Sequence, residues 1–216
     1  MRTTIDALRQ LDDLRLRVSG AEAEALRRGR FDTSRLAADF KASVYVSLAA
    51  ILEFMFRAIG PEIRLEVLSR CATPDVLRPE LSAIVAGRAF AAASQTHRNG
   101  LMERVRLTQG LTLSTDDWPQ DVTFNDGKTV DGRSFDAIWA TLRIPGHSLP
   151  SPLHRTALAE IKELRNQVAH GEQEAVVIGG RKTFQDLFTR IRHVEECVES
   201  LDLGLEQWLI DRGWTV

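Results

Sequence analysis

Apolar residues recur at steps of three and four along most of the chain, which is the period of an amphipathic helix. The first such stretch predicts a helix over residues 3–28, capped by Thr3 or Thr4. Its apolar stripe is narrow, and its other faces are highly charged. We therefore expect residues 1–30 to form a peripheral helix, or an arm that packs on a partner. The stripe consists of Ile5, Leu8, Leu11 and Val18.

A second helix is predicted from Thr33 or Ser34 to about residue 59, where Gly60-Pro61 should end it. Pro61 then opens a short helix that reaches about residue 71. The second half of the long helix is apolar on almost every side, so we place it at the centre of the fold. Its apolar run is too short to span a bilayer and contains charges, so we expect a buried core helix and no membrane partner.

Further helices are predicted over residues 74–93, 100–109 and 183–212. The helix over 100–109 and the residues before it have a basic face. Such a face is usually only solvated, and the alternative is a local patch that contacts RNA phosphates. The basic residues are Arg98, Arg104 and Arg106.

The pattern changes over residues 111–150, where turn signals such as Asn125-Asp126-Gly127 interrupt the helical period. Residues 122–124 and 128–130 flank that turn and fit a small hairpin. Ser134 then caps a short helix. We interpret 111–150 as an irregular insertion, because it has too few apolar residues for a core of its own. The prediction is a single all-α domain over 1–216, an up-and-down helical bundle.

The most informative helix follows this insertion. Ser151-Pro152 predicts its start, and Gly171 predicts its end at about His170. One stripe is apolar and consists of Leu153, Ala157, Ile161, Leu164 and Val168. The opposite face carries Lys162, Asn166 and His170, at about 100° per residue. Because the core does not need this polar ridge, we expect it to be free for a two-fold dimer contact.

Arg165 lies on the flank of the same helix and has a candidate partner in Glu53, a lone carboxylate in apolar surroundings. A buried carboxylate is costly without a partner. Arg57, four residues later, is the local alternative for Glu53. The two arginines are equally plausible partners. From the residues alone, a structural role is the preferred explanation, with Arg165 as a partner of Glu53 and His170 as a cation favoured at a helix C-terminus.

The string Leu-Arg-Asn-Gln-Val-Ala-His-Gly, residues 164–171, resembles the signature of the HEPN superfamily. That signature has arginine, often followed by asparagine, and then histidine near the end of a late helix. Here the matching residues are Arg165, Asn166 and His170. The resemblance covers roughly residues 33–212, is weakest over 111–150, and favours Arg165 as the partner of Glu53.

The resemblance implies a metal-independent endoribonuclease that leaves a 2′,3′-cyclic phosphate and a 5′-hydroxyl. In such enzymes arginine and histidine from two subunits converge on one cleft, which implies a homodimer that acts on RNA. The chemistry of the residues agrees. Histidine suits proton transfer near neutral pH, and arginine suits the charge of a phosphorane. Arg165, His170 and Asn166 are thus the candidate catalytic residues, with Glu53 and Lys162 in support.

Composition and net charge exclude few further classes of function. The chain is 44% hydrophobic and 27% charged, as in soluble globular proteins, and a net charge of −2 leaves RNA binding to a local patch. Cys71 and Cys197 fit no metal spacing, and the five histidines do not cluster, so we expect no metal or other cofactor. With no apolar signal-peptide core after Met1, we expect a cytoplasmic protein.

Two other functions remain open at this stage. One is a non-catalytic HEPN-like helical dimer that binds RNA, a nucleotide or a protein. The other is a toxin or antiviral defence effector, which would share the ribonuclease chemistry and be silenced by an antitoxin or another regulatory protein.

Overall fold

A computed structural model describes residues 1–28, 34–85, 113–120, 122, 124 and 129–216. The described part of the chain is mostly helical. It contains no β-strand and only two isolated β-bridges, Val76–Ser114 and Leu77–Thr215. The predicted all-α class is confirmed.

The α-helices in chain order are α1 Arg2–Arg28, α2 Arg35–Arg70, α3 Ser82–Val85, α4 Gly132–Leu142, α5 Pro152–Ala169, α6 Ala175–Gly180 and α7 Phe184–Ile210. Two 3₁₀ turns cover Pro79–Leu81 and Thr115–Asp117. The last helix starts as predicted, because Thr183 and Asp186 form a reciprocal capping box.

α2 is the central helix and packs against α1, α5, α6 and α7. Ser34 caps it by accepting a hydrogen bond from the Ala37 N–H at 3.1 Å. By length and composition alone α2 would also suit a membrane span. However, 56% of its most apolar 18-residue window is buried in the protein, as in the core helix of a soluble protein.

The predicted end of the second helix at Gly60-Pro61 is wrong, because α2 continues through Pro61 to Arg70. Proline inside a helix costs about 3 kcal/mol or more. Ile63 and Val67 continue the buried stripe beyond the proline, and both are fully buried. Their burial offsets that cost. Gly60 permits a close approach here, since a Cβ on it would lie 2.3 Å from the Val122 carbonyl oxygen.

Residues 1–30 are expected to form a peripheral helix or an arm that packs on a partner, and the described part of this segment, α1, packs on the helices of its own chain. α1 packs along both α2 and α7, and its buried face belongs to the main hydrophobic core. That face uses Ala7, Leu11, Leu14 and Val18, whereas Ile5 is 52% exposed. Glu62 of α2 accepts hydrogen bonds from the first N–H groups of α1, which anchors its start in the fold.

The segment after α2 is less helical than predicted. Residues 71–78 form no helix, and Val76 and Leu77 instead form the two β-bridges, so the expected helix over 74–93 is reduced to Pro79–Val85 in the described part. Residues 86–93 and the predicted helix over 100–109 lie outside the described residues.

The insertion contains α4 but no strand among its described residues. No described residue of the predicted hairpin lies in a strand, which contradicts that prediction. These residues are Val122, Phe124, Thr129 and Val130, and the rest of the predicted hairpin lies outside the described residues. α4 starts earlier than expected because Asp131 is its cap, and the Asp131 N–H donates to Ser134 Oγ at 3.3 Å in the capping box. Val122 and Val130 are buried in the main core, so these parts of the insertion pack onto the bundle.

The β-branched residues Val176, Val177 and Ile178 favour an extended segment over residues 174–178, but residues 175–178 are helical instead. α6 is a short helix that lies directly on α2. A Cβ on Gly179 would lie 1.8 Å from the Ala38 carbonyl oxygen, so only glycine permits this contact. Packing against α2 therefore overrides the β-propensity of Val176, Val177 and Ile178.

Candidate functional site

α5 is the helix that carries the predicted site residues, and its ends are where the sequence predicts them. Pro152 occupies the first turn, and His170 is the C-terminal cap. The His170 N–H donates to the Asn166 carbonyl at 2.9 Å, and Gly171 has a φ of 67°. That left-handed conformation favours glycine. Leu153 is 68% exposed, which contradicts its predicted core position, since His154 and Leu158 take the buried side.

Arg165 is held between two partners. Its Nη2 lies 3.3 Å from Glu53 Oε1, and its Nη1 donates to Asn166 Oδ1 at 3.2 Å. The contact with Glu53 is an ion pair without hydrogen-bond geometry, because Glu53 Oε1 has no hydrogen-bond partner in the described structure. Arg57 is the more distant cation, 4.0 Å from Glu53 Oε2. Both expected partners of Glu53 are thus present, and Arg165 is the nearer one.

Asn166 has a determined orientation. Its Oδ1 accepts hydrogen bonds from Arg165 Nη1 and from Thr129 Oγ1, both at 3.2 Å. Because two donors face this atom, it must be the amide oxygen, and the –NH₂ group points elsewhere. Asn166 can therefore donate up to two hydrogen bonds to an anionic ligand such as a phosphate.

Lys162 is tied to the insertion. Its Nζ donates to Asp131 Oδ2 at 2.7 Å. Burial acts to raise the pKa of Asp131, but hydrogen bonds from Lys162 and from the N–H of Arg133 outweigh it and lower that pKa. With Asn166 bound to Thr129, the ridge opposite the core is only partly free. The expectation that the whole ridge is available for a dimer contact is wrong for these two residues.

His170 differs from Arg165 and Asn166 because it is exposed, and in the described part of the chain its imidazole makes no hydrogen bond or ion pair. It follows Asn166 by one helical turn, so the imidazole, the amide and the guanidinium share the C-terminal end of α5. The structure therefore brings Glu53, Arg165 and Asn166 into contact and leaves His170 accessible beside them.

Other predicted site residues lie elsewhere. Arg98, Arg104 and Arg106 are outside the described residues, so the basic patch stays a prediction. Among the described residues, no group of three or more His, Cys, Asp or Glu side chains is placed to hold a metal ion. Sequence reasoning missed Thr129 and Asp131. The Asp131-x-x-Ser134 spacing, a capping-box pattern, was the available signal for Asp131.

No protein-family model, curated protein or solved structure matches this chain. The likeness to the HEPN signature accordingly rests on the sequence, chiefly on residues 164–171.

Proposed function

We propose that the protein is a metal-independent endoribonuclease of the HEPN type, acting on RNA as a two-fold homodimer. The observation that carries the proposal is the arrangement of Arg165, held by Glu53 and Asn166, next to an accessible His170. A guanidinium that is oriented before the substrate arrives loses less conformational freedom on binding, which favours stabilisation of a phosphorane.

The proposed reaction is an intramolecular transesterification of the RNA phosphodiester. The ribose 2′-oxygen attacks the phosphorus, the 5′-oxygen leaves, and the products are a 2′,3′-cyclic phosphate and a 5′-hydroxyl. His170 takes the proton from the 2′-hydroxyl or donates one to the leaving oxygen. Arg165 neutralises charge on the non-bridging oxygens, and the Asn166 –NH₂ group donates a hydrogen bond to one of them.

In the part of the chain that the structure describes, one subunit offers a single accessible imidazole at this site, whereas acid–base cleavage is best served by two, which favours a dimer. The surface that suits the dimer is the exposed face of α2 next to Glu53. It carries Val46, Ala50 and Phe54, which recur at helical steps, and Phe54 is 54% exposed. An apolar face on a two-fold axis contacts its own copy and places the two copies of Glu53 and Arg165 close to that axis.

The proposed activity is tested directly with the wild-type protein. A set of single-stranded and hairpin RNAs should be cut in the presence of excess EDTA, because the mechanism uses only an imidazole, an amide and a guanidinium. Analysis of the fragments should find 2′,3′-cyclic phosphate and 5′-hydroxyl ends. Cleavage that stops on addition of EDTA, or fragments with 5′-phosphate ends, would contradict the mechanism.

Phe54→Glu tests the dimer surface. Two carboxylates placed against one another across the axis should convert the dimer to monomer and reduce cleavage by at least about tenfold. Sedimentation velocity and an RNA cleavage assay measure both effects on one sample. Leu203→Glu is the matched control, since Leu203 is 68% exposed on α7 and should leave both quantities unchanged. A wild-type protein that sediments as a monomer at tens of micromolar contradicts this surface and the dimer.

A second candidate function is a non-catalytic helical dimer that binds RNA, a nucleotide or a protein. It is favoured by one observation, namely that no described side chain fixes the tautomer of the His170 imidazole. Binding without cleavage would support it. Under either function, a cytoplasmic location and control by an antitoxin or another regulatory protein remain proposals that follow from the family resemblance.

A further inference from the structure

The opposite end of α5 borders an open cavity of about 840 Å³ between α4 and the start of α5. The apolar wall includes Trp139, Ile144 and Leu149. Two arginines also line it, but each is paired, Arg143 with Glu80 at 3.0 Å and Arg155 with Asp136 at 2.9 Å. With both guanidinium charges neutralised, the cavity suits an uncharged ligand that has an apolar part.

Ser151 lines this cavity and belongs to a chain of hydrogen bonds that leads away from it. Its Oγ lies 2.9 Å from His154 Nδ1, and His154 Nε2 lies 2.7 Å from Glu196 Oε2. The other oxygen of Glu196 lies 3.5 Å from Arg192 Nε. His154 is buried, with 6% of its surface exposed, so its imidazole links α5 to α7 out of contact with bulk water.

The partners determine the tautomer of His154. A carboxylate only accepts hydrogen bonds, so the proton of the neutral imidazole is on Nε2 and is donated to Glu196. Nδ1 is then an acceptor, and the Ser151 hydroxyl donates to it. This is the arrangement of a serine, a general base and an orienting carboxylate that activates a hydroxyl as a nucleophile.

The local structure agrees with such a role. A serine at a helix N-cap usually accepts a hydrogen bond from a backbone N–H of the first turn, but Ser151 makes no such bond. Its hydroxyl is used for His154 instead. Ser151 and Pro152 at the amino end of α5 line the same cavity, so the positive end of the helix dipole lies close to a developing oxyanion.

A second imidazole adjoins His154. The ring of His193 lies 5.1 Å from that of His154. Burial, with the nearby His154 and Arg190, lowers the pKa of His193. A neutral His193 adds no positive charge beside the imidazolium that forms when His154 accepts a proton.

We propose that Ser151 is the nucleophile of a second active site, which hydrolyses uncharged short-chain carboxylic esters. Ser151 Oγ attacks the ester carbonyl while its proton passes to His154 Nδ1. The tetrahedral intermediate then expels the alcohol, which takes that proton and leaves an acyl group on Ser151. Water attacks the acyl-enzyme in the same manner, releases the carboxylic acid and restores the serine.

The site is distinct from the proposed ribonuclease site, because Ser151 and His170 are at opposite ends of an 18-residue helix. That length corresponds to about 27 Å at 1.5 Å per residue. The ester-cleaving activity therefore does not depend on the proposed action on RNA, and each can be tested without the other.

The experiment treats the full chain with a fluorophosphonate probe and locates the label by peptide mass spectrometry. The phosphorus should be bonded to Ser151 Oγ with loss of fluoride, and not to Ser148 nearby. In parallel, hydrolysis of p-nitrophenyl butyrate should be at least about tenfold faster with the wild type than with Ser151→Ala. Glu196→Gln should fall between them, because it weakens the orientation of His154 without removing the base.

Ser69→Ala is the control, since Ser69 is exposed at the end of α2 and should leave labelling and hydrolysis unchanged. Thermal melts show which variants fold. The wild-type labelling needs no variant, so it decides the question even if Ser151→Ala unfolds. Label spread over several serines, no label above that of heat-denatured protein, or equal hydrolysis by wild type and a folded Ser151→Ala would overturn the proposal.

Discussion

His170→Ala should remove RNA cleavage while leaving the fold intact. Loss of a general acid or base typically costs about 10²–10⁴-fold in rate, so we expect at least about a hundredfold decrease. Because His170 is exposed and its imidazole makes no hydrogen bond or ion pair in the described structure, the free energy of unfolding should change by less than about 0.5 kcal/mol. Cleavage rates and melting temperatures of the same preparations measure both quantities.

Arg165→Ala is the informative companion, because it should affect both quantities. Cleavage should again fall by about a hundredfold or more if the guanidinium contacts the phosphorane. Among the described residues, the variant also leaves Glu53 with only the more distant Arg57. Removing one partner of a fully buried ion pair costs about 3–5 kcal/mol, but the Glu53 and Arg165 side chains are 18% and 29% exposed. We therefore expect a loss of about 2 kcal/mol.

Glu53→Gln separates the loss of the ion pair from the loss of the guanidinium itself. It keeps a side chain of the same size next to Arg165 and leaves the guanidinium free to contact RNA, so cleavage should fall less than in Arg165→Ala.

A folded His170→Ala protein that cleaves RNA as fast as the wild type would refute the proposed ribonuclease activity. No cleavage by the wild type on any RNA, together with measurable RNA binding, would favour the non-catalytic dimer.

Gly179→Ala should be the most destabilising small substitution in α6. The added methyl group would lie 1.8 Å from the Ala38 carbonyl oxygen and 3.0 Å from the Ala42 nitrogen. Both are backbone atoms of α2, so no side-chain rotation can relieve the contact and α6 must move away. We expect a loss of about 3 kcal/mol or more in the free energy of unfolding, measured by urea denaturation followed by circular dichroism.

Gly180→Ala provides a matched control one residue later. Gly180 is exposed, and no atom lies within 4 Å of a Cβ built on it. The same chemical change should therefore alter the free energy of unfolding by no more than about 0.5 kcal/mol. Equal effects of the two substitutions would show that α6 does not pack on α2 as described.

The parts of the fold that were predicted correctly are those in which local chemistry decides. Pro152 at the first helical position and Gly171 with its positive φ determine the ends of α5, and the capping box of Thr183 and Asp186 determines the start of α7. In each case, the residues that satisfy the helix ends are adjacent to them in sequence. The all-α class followed in the same way from the helical period of the apolar residues.

The parts that were not predicted depend on contacts between distant residues. α2 continues through Pro61 because Ile63 and Val67 are buried by other helices, and residues 175–178 are helical because Gly179 fits against Ala38. The spacing of apolar residues along the chain predicts neither of these contacts. At the site, the sequence named Glu53 as a partner of Arg165, but the partners of Lys162 and Asn166 come from the insertion. Because the helical pattern of the insertion is weak, the sequence did not show which of its residues would lie next to Lys162 and Asn166.

The contacts of Asp131 with Lys162 and of Thr129 with Asn166 have a consequence for regulation. Segment 129–131 contacts the proposed RNA site from within the chain, and Asp131 also starts α4. If RNA binds more tightly to one position of this segment than to another, a molecule that also prefers one position alters RNA affinity, and RNA alters the affinity for that molecule by the same factor. The insertion is thus the part of this protein through which an effector can be coupled to the site without occupying it.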